Sequence, residues 1–157
     1  MMPGMFMPKV IQGGMGVGVS GWELARAVSQ AGQLGVVSGT ALDTLLIRRL
    51  QMCDPDDSIR RALDAFTIKS LADQIVEKYL RPVGESLDKP FKLAGGYGLT
   101  PSRKLIDLTI VANFVEVFLA KEGHSGKVGI NYLEKIQFPT LPSLFGAMMA
   151  GVDTVLM

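Results

Sequence analysis

Short apolar runs and longer segments with helical spacing follow one another along this chain. Four runs predict β-strands, because each is a short apolar stretch bounded by glycine or polar residues: Lys9–Gln12, Leu34–Ser38, Val128–Leu133 and Val152–Met157. The second run is hydrophobic throughout, which is typical of a parallel strand covered on both faces. The pattern therefore favours a parallel sheet.

The segment between the first two predicted strands has the spacing of an amphipathic helix. Its apolar residues recur at i, i+3, i+4 and i+7 and predict one apolar face, made of Leu24, Ala27, Val28 and Ala31. Ser20 and Glu23 have the spacing of a capping box, so we expect the Ser20 hydroxyl to accept from the Glu23 amide. Gly32 suits the left-handed position that ends a helix. These signals predict a strand–helix–strand unit.

Helical spacing continues over 44–80 in three stretches, 44–51, 56–66 and 68–80. Residues 81–100 are rich in proline, glycine and charge and predict a loop, with a short strand at Phe91–Leu93 as one option. A long helix follows, with Pro101 in its first turn. Pro142–Ala150 predicts a last, short helix before the final strand.

Two places in the chain share one layout. Residues 31–37 and 150–156 each read as a helix end, a glycine and an apolar strand, and Gly123 begins a looser third copy. Repeated joins of this kind imply alternating helices and strands, hence a doubly wound sheet or a (β/α) barrel. The 157 residues are the length of one ordinary domain.

Composition excludes several classes of function. The net charge is +1 without a basic stripe, so nucleic acid is not expected as a partner. A single cysteine, Cys53, excludes an internal disulfide, and no cluster of metal-ligand residues appears in the sequence. The sequence shows no signal peptide, and no stretch reaches the roughly 18 apolar residues of a membrane span. We therefore expect a cytoplasmic protein that does not bind membranes.

The turn after the first predicted strand is the strongest candidate for chemistry, with five glycines over residues 13–21. Gly16–Gly21 matches G-x-G-x-x-G, the turn that binds dinucleotides such as NAD. That motif requires an acidic residue at the end of the next strand, but this strand ends in Ser38-Gly39-Thr40 and the first acid is Asp43. Three interpretations stay open: a dinucleotide turn, a connection without a ligand, and a cofactor site in another α/β fold.

In a parallel barrel the carboxyl ends of all strands face one rim, where ligands bind. This places three groups at the same rim: Gly13, Gly14 and Met15; Ser38, Gly39 and Thr40; and Asn131. An asparagine in an aliphatic strand needs hydrogen-bond partners, which a ligand or a neighbouring backbone supplies. The only histidine, His124, falls at the opposite rim, where capping the preceding helix suits it better than acting as a general base.

Taken together, the segments 10–43 and 113–157, with VIQGGMG, LGVVSG, VGINYLEK and AGVDTVLM, resemble the nitronate monooxygenase family. The resemblance covers nearly the whole chain and implies an FMN-dependent TIM barrel. Members of the family oxidise alkyl nitronates with molecular oxygen: the flavin N5 accepts the electrons and oxygen reoxidises the flavin.

The resemblance also implies roles for residues of the rim. Gly13, Gly14, Met15 and Asn131 would line the flavin ring, and Ser38-Gly39-Thr40 would approach the same mouth. Such a barrel has eight strands and about 250 residues, so the expected fold of residues 1–157 is its N-terminal half, a partial TIM barrel with about four parallel strands. The segment 44–126 would be a helical insertion between the second and third strands. The family's catalytic histidine and the flavin phosphate site belong to the other half, so no catalytic residue is assigned.

We expect one of three functions, in this order of preference. The first is an FMN-dependent oxidoreductase of nitronates, with a small-molecule substrate. The second is a flavin-dependent enoyl reductase of fatty-acid synthesis, which uses the same barrel. The third is a non-catalytic half-barrel that acts only by association, either with a second copy or with the missing C-terminal half.

Overall fold

The computed structural model describes residues 7–82 and 90–157. Part of the predicted 81–100 loop and the first six residues lie outside this description. The described residues form six helices: α1 (Trp22–Gln30), α2 (Leu42–Gln51), α3 (Ser58–Ala65), α4 (Lys69–Tyr79), α5 (Arg103–Lys121) and α6 (Thr140–Met149). Three strands accompany them, β1 (Gly35–Ser38), β2 (Val128–Asn131) and β3 (Thr154–Leu156).

The three strands form one parallel sheet in the order β1-β2-β3. Its register places Ser38 beside Asn131, and Asn131 beside Leu156. Because side chains alternate along a strand, these three residues share one face at the carboxyl end of the sheet. The opposite face carries Val37 and Ile130 into the hydrophobic core against the helices. The parallel α/β character predicted from the sequence is thus confirmed.

The predicted first strand, Lys9–Gln12, is not a regular strand within the described part of the chain. It lies parallel to β1 and makes a single bridge, Ile11 with Leu34. Side-chain amides take the place of further ladder bonds: Gln33 Oε1 accepts from the Lys9 and Val10 amides, and Gln12 Oε1 accepts from Val36 N. The described residues therefore form three strands rather than four, and closure into a barrel stays a prediction.

Helix α5 is the centre of the helical layer. It contacts every other helix and the first two strands, and the residues buried along it include Val111, Val115 and Leu119. The three helices predicted between residues 44 and 80 are confirmed as α2, α3 and α4. The alternative strand at Phe91–Leu93 is absent from the described residues, where this segment has no regular secondary structure.

Helix α1 differs from its prediction in two respects. Its buried residues are Ala25 and Ser29, whereas Leu24 of the predicted apolar face is exposed. The capping box does not form, because the Ser20 hydroxyl donates to Gly13 O instead and Gly21 occupies the N-cap position. Burial of this helix is set by small residues that let it approach the sheet: a Cβ on Gly35 would lie 1.9 Å from Ala25 O.

The three glycines in the repeated helix–glycine–strand layout all have positive φ, with values of 74° at Gly32, 78° at Gly123 and 76° at Gly151. This left-handed backbone disfavours other residues and ends each helix. No helix among the described residues combines the length and the hydropathy that crossing a bilayer would require.

Candidate functional site

The glycine-rich turn folds back onto the carboxyl end of the sheet. Ser20 anchors it twice: its hydroxyl donates to Gly13 O at 3.1 Å, and its carbonyl accepts from Ser38 N at 2.9 Å. Gly14 packs directly on β1, since a Cβ there would lie 2.6 Å from Val37 O. Gly13 is exposed, and a Cβ on it would meet no described atom within 4 Å. Gly14 thus holds the turn against the sheet, and Gly13 leaves an open approach to it.

Asn131 joins this turn to β2. Its Nδ2 donates to Gly14 O at 3.3 Å and lies 2.8 Å from Met15 Sδ. Met15 itself is 63% exposed, so its thioether is available to a ligand. The structure therefore brings together Gly14, Met15 and Asn131. Gly14 and Asn131 are 117 positions apart in the sequence.

Ser38, the neighbour of Asn131 on the same face of the sheet, carries an unpaired group. Its side chain is 2% exposed, and its Oγ has no hydrogen-bond partner among the described residues. A buried hydroxyl without a partner costs about 1–3 kcal/mol. We call Gly13, Gly14, Met15, Ser38 and Asn131 the inner cluster. Its orphaned hydroxyl is the observation that points to a missing ligand.

Gly39 and Thr40 lie outside the inner cluster. Gly39 N continues the ladder by donating to Asn131 O at 2.8 Å, and the Tyr132 ring stands against Gly39 so closely that a Cβ there would lie 2.3 Å from Tyr132 Cε1. Beyond Tyr132, both residues border a cavity of about 480 Å³ between the loops after β1 and β2 and the middle of α5. The seven predicted residues thus fall into the inner cluster and the wall of this cavity.

Four polar residues of the cavity wall were not singled out from the sequence. Tyr97 Oη donates to Thr109 Oγ1 at 2.6 Å, and Tyr132 Oη donates to Asn113 Oδ1 at 3.0 Å. Asn113 Nδ2 donates in turn to Thr109 O at 2.9 Å. Thr109 and Asn113 are buried, four positions apart in a largely apolar helix, and that pattern could have identified them.

Both phenols stay protonated in the ordinary pH range. Burial raises the pKa of Tyr132. Burial also raises the pKa of Tyr97, which outweighs the lowering by its hydrogen bond with Thr109. The cavity wall is therefore neutral where these two side chains contribute to it.

The N-terminus of α1, where a dinucleotide turn binds phosphate, holds a carboxylate of this chain. Trp22 N donates to Glu116 Oε1 at 2.8 Å, and Glu116 Oε2 accepts from Arg49 Nη1 at 2.6 Å. The Val19 and Ser20 amides bond to Gly16 O within the turn. This geometry disfavours the dinucleotide interpretation, because three amides of the turn and of the helix start have partners and a carboxylate of the chain lies where the phosphate would bind.

His124 has the capping role predicted for it. Its Nδ1 accepts from Gly126 N at 3.0 Å, so the proton is on Nε2, which lies 2.7 Å from Ala120 O near the end of α5. Both partners are backbone groups, and the residue lies before β2, away from the inner cluster. His124 holds the turn into β2.

Comparison with known proteins gives no neighbour. A scan against protein-family models found no match, and searches of curated proteins and of solved structures found none.

Proposed function

We propose that this chain forms the flavin-ring side of an FMN-dependent oxidoreductase similar to the nitronate monooxygenases. The observation that carries the proposal is the inner cluster: the orphaned Ser38 Oγ belongs to the residue beside Asn131 at the carboxyl end of a parallel sheet, and Asn131 contacts the exposed Met15. Ligands of α/β proteins bind at this end of the strands.

The groups of the inner cluster suit a flat heteroaromatic ring with a polar edge. A thioether makes favourable contacts with an aromatic ring, which assigns Met15 to its face. Ser38 Oγ and the Asn131 amide would hydrogen-bond to its polar edge, and exposed Gly13 lets the ring approach the backbone. FMN bound there would supply the electron acceptor for oxidation of an alkyl nitronate and transfer the electrons to oxygen.

Quenching of FMN fluorescence on titration with the purified chain tests this assignment. We expect weak but saturable binding, because the resemblance places the phosphate site in the other half of the barrel. Met15→Ala should weaken it at least threefold, through lost contact with the ring. Met52→Ala is the matched control, since Met52 is 58% exposed and far along the chain in the loop after α2.

Absence of saturable quenching, or equal weakening by both substitutions, would refute the assignment. Substrate class is then read from turnover: oxygen uptake that depends on an alkyl nitronate supports the monooxygenase. Reduction of an enoyl thioester by a nicotinamide would instead identify the enoyl reductase. Binding of NAD without FMN would restore the dinucleotide interpretation.

A second candidate, a half-barrel that acts by association with a second copy, is favoured by the apolar groups at both ends of the structure. Val10 and Ile11 are exposed at the β1 side of the sheet, and Val155 is exposed on β3 at the other. Unpaired sheet edges with apolar side chains promote pairing between chains. Light scattering on the purified chain separates a dimer from a monomer.

A further inference from the structure

The cavity beyond Tyr132 is a second place where this chain can hold a small molecule. Its volume of about 480 Å³ is within the range of small-molecule pockets. Its walls come from the loop after β1 with the start of α2, the middle of α5, the loop after β2 with the start of α6, and the segment that holds Gly95 and Tyr97. It does not include Met15, Ser38 or Asn131, so it is separate from the inner cluster.

The cavity's hydrogen-bonding groups are fixed before any ligand arrives. Each phenol uses its one hydrogen within the wall, Tyr97 toward Thr109 and Tyr132 toward Asn113. Thr109 Oγ1 likewise donates to Leu105 O at 3.0 Å. A phenol whose hydrogen is used can only accept a further hydrogen bond. The two tyrosines therefore offer acceptors, and a matching ligand must donate.

Among the described lining residues, only Asp43 and Lys135 are charged. Asp43 Oδ1 already accepts from Thr44 N at 2.7 Å, and Lys135 is exposed in the loop after β2. The remaining lining is neutral, and it includes Leu133, Ile136 and Phe138, each more than a third exposed. Burying an unpaired charge among such groups is costly, so the lining suits an uncharged ligand with an apolar body.

We propose that this cavity binds a small uncharged compound with an apolar ring and a hydroxyl or amino donor, which the oxygens of Tyr97 and Tyr132 accept. The donor end lies at α5, and the apolar body lies toward the loop after β2. The site does not depend on flavin binding at the inner cluster.

Three probes of one shape test the ligand class by calorimetric titration of the whole chain. 1-Naphthol has the donor, 1-methoxynaphthalene lacks it, and naphthalene-1-sulfonate carries a charge. We expect saturable one-to-one binding of 1-naphthol, at least fivefold weaker binding of the methyl ether and weaker binding still of the sulfonate. No saturable binding of 1-naphthol, or equal binding of all three, overturns the proposal.

Removal of each phenol oxygen locates the probe. Tyr97→Phe and Tyr132→Phe should each weaken 1-naphthol binding about three- to tenfold, the value of one neutral hydrogen bond. Tyr79→Phe is the matched control, because Tyr79 is the remaining one of the three tyrosines in the sequence and lies outside this cavity. Circular dichroism establishes that each variant is folded.

If all three substitutions weaken 1-naphthol binding equally, or if none weakens it, the proposed location of the probe is wrong. If FMN displaces 1-naphthol to the same extent as FMN itself binds, the two sites are not separate. The probe comparison among naphthalenes needs no variant, so the ligand class remains testable if one of the tyrosine variants does not fold.

Discussion

Two buried serines, one on α1 and one at the end of β1, differ in their hydrogen bonds. Ser29 Oγ donates to Lys127 O at 2.6 Å, whereas Ser38 Oγ has no partner among the described residues. Both side chains are 2% exposed or less. The same residue type at equal burial is thus stabilising in one place and costly in the other.

Alanine substitutions should separate these two states. Ser29→Ala removes a good hydrogen bond and leaves Lys127 O without this donor, so we expect a loss of about 1 kcal/mol in the free energy of unfolding. Ser38→Ala removes the unpaired hydroxyl, so the stability of the flavin-free chain should stay equal or rise while FMN binding weakens. Urea unfolding and FMN titration measure the two effects. A loss of stability in Ser38→Ala as large as in Ser29→Ala would contradict the assignment of Ser38 to a ligand.

Glu116 is a buried acid that connects three helices. It accepts from Trp22 N at the start of α1 and from Arg49 on α2, and its side chain is 3% exposed. Burial raises the pKa of Glu116, against the lowering by Arg49. Glu116→Ala leaves Arg49 and Trp22 N without this partner, and we expect it to lower the free energy of unfolding by about 3 kcal/mol.

Glu23 provides the control for this prediction. Its carboxylate lies 4.0 Å from the same Arg49 but is 62% exposed. Glu23→Ala should therefore cost less than about 0.5 kcal/mol in urea unfolding. Comparable losses in the free energy of unfolding of the two variants would show that the burial of Glu116 does not increase its contribution to stability.

The sequence predicted the residues of the inner cluster because strand ends in a parallel sheet share one rim. It did not separate Ser38 from Gly39, which depends on the alternation of side chains and on the Tyr132 ring. Nor did it identify Tyr97, since no local pattern relates a loop residue to Thr109 on α5. Contacts of this kind depend on how the loops cross, which hydrophobic periodicity does not specify.

At the scale of elements, residues 90–99 form a strap across α2 without regular structure. Phe91 lies under the guanidinium of Arg48, 3.9 Å from the ring centroid. Gln51, 1% exposed, binds the strap through both ends of its amide: Nε2 donates to Lys92 O and Oε1 accepts from Lys92 N. Tyr97 reaches the cavity from this strap.

Gln51→Ala should loosen the strap. We expect at least tenfold faster hydrogen exchange at the Lys92 amide, because its acceptor is removed, with exchange in the middle of α5 unchanged. Gln30→Ala is the control, since Gln30 is exposed at the end of α1. Unchanged exchange at Lys92 would show that other contacts hold the strap.

Asp153 connects the start of β2 with α5 just before β3. It accepts from Lys121 and Lys127 and from Val128 N. Burial raises its pKa, but these hydrogen bonds together outweigh burial and hold the pKa of Asp153 below its ordinary value of 3.8. The unfolded chain then binds more protons here, so the stabilisation is present above about pH 4 and is lost as pH falls through the folded-state pKa.

Asp153→Asn should therefore lower the free energy of unfolding by about 1–2 kcal/mol at pH 7. The difference from the wild type should shrink as pH falls below about 4, where the wild-type carboxylate becomes protonated. Urea unfolding at pH 7, 5 and 3 measures it, with Asp64→Asn, an exposed residue of α3, as the control. A difference that does not vary with pH would rule out the charge as its source.

The helices were largely predictable, because periodicity marks them and glycine ends them. The burial of α1 was not predictable, because its contact with the sheet depends on the packing of Ala25 against Gly35 rather than on its larger apolar residues. The segment 9–12 has the composition of a strand but makes only one bridge with the residue before β1. Here Gln12 and Gln33 side chains take backbone bonds instead.

At the scale of the whole molecule, one group of exposed apolar residues lies along a single helix. Helix α6 exposes a stripe at helical spacing, with Leu141 at 79%, Phe145 at 55% and Met148 at 67%. An apolar stripe of this kind normally packs against another element. This stripe is a candidate surface for the proposed association with a second copy.

A charge placed on this stripe should disrupt that assembly. We expect sedimentation velocity to show concentration-dependent association of the wild type and at least tenfold weaker association of Leu141→Glu. Leu99→Glu is the control, because Leu99 is 88% exposed but lies away from α6 in the loop before α5. A wild type that is monomeric at all concentrations would contradict association, and equal effects of both charges would exclude the stripe as its surface.

The contact between Trp22 N and Glu116 joins residues 94 positions apart. It can form only after both parts of the chain are present. During synthesis the glycine-rich turn and α1 emerge well before α5, so the carboxylate for the start of α1 and the Asn131 amide for Gly14 are both still missing. Folding with such distant partners is slow, because a long loop must close before the contact can form. The inner cluster is therefore complete only once Asn131 has joined it, whereas the Ile11–Leu34 bridge and the Ser20–Ser38 hydrogen bond lie wholly within residues 9–38.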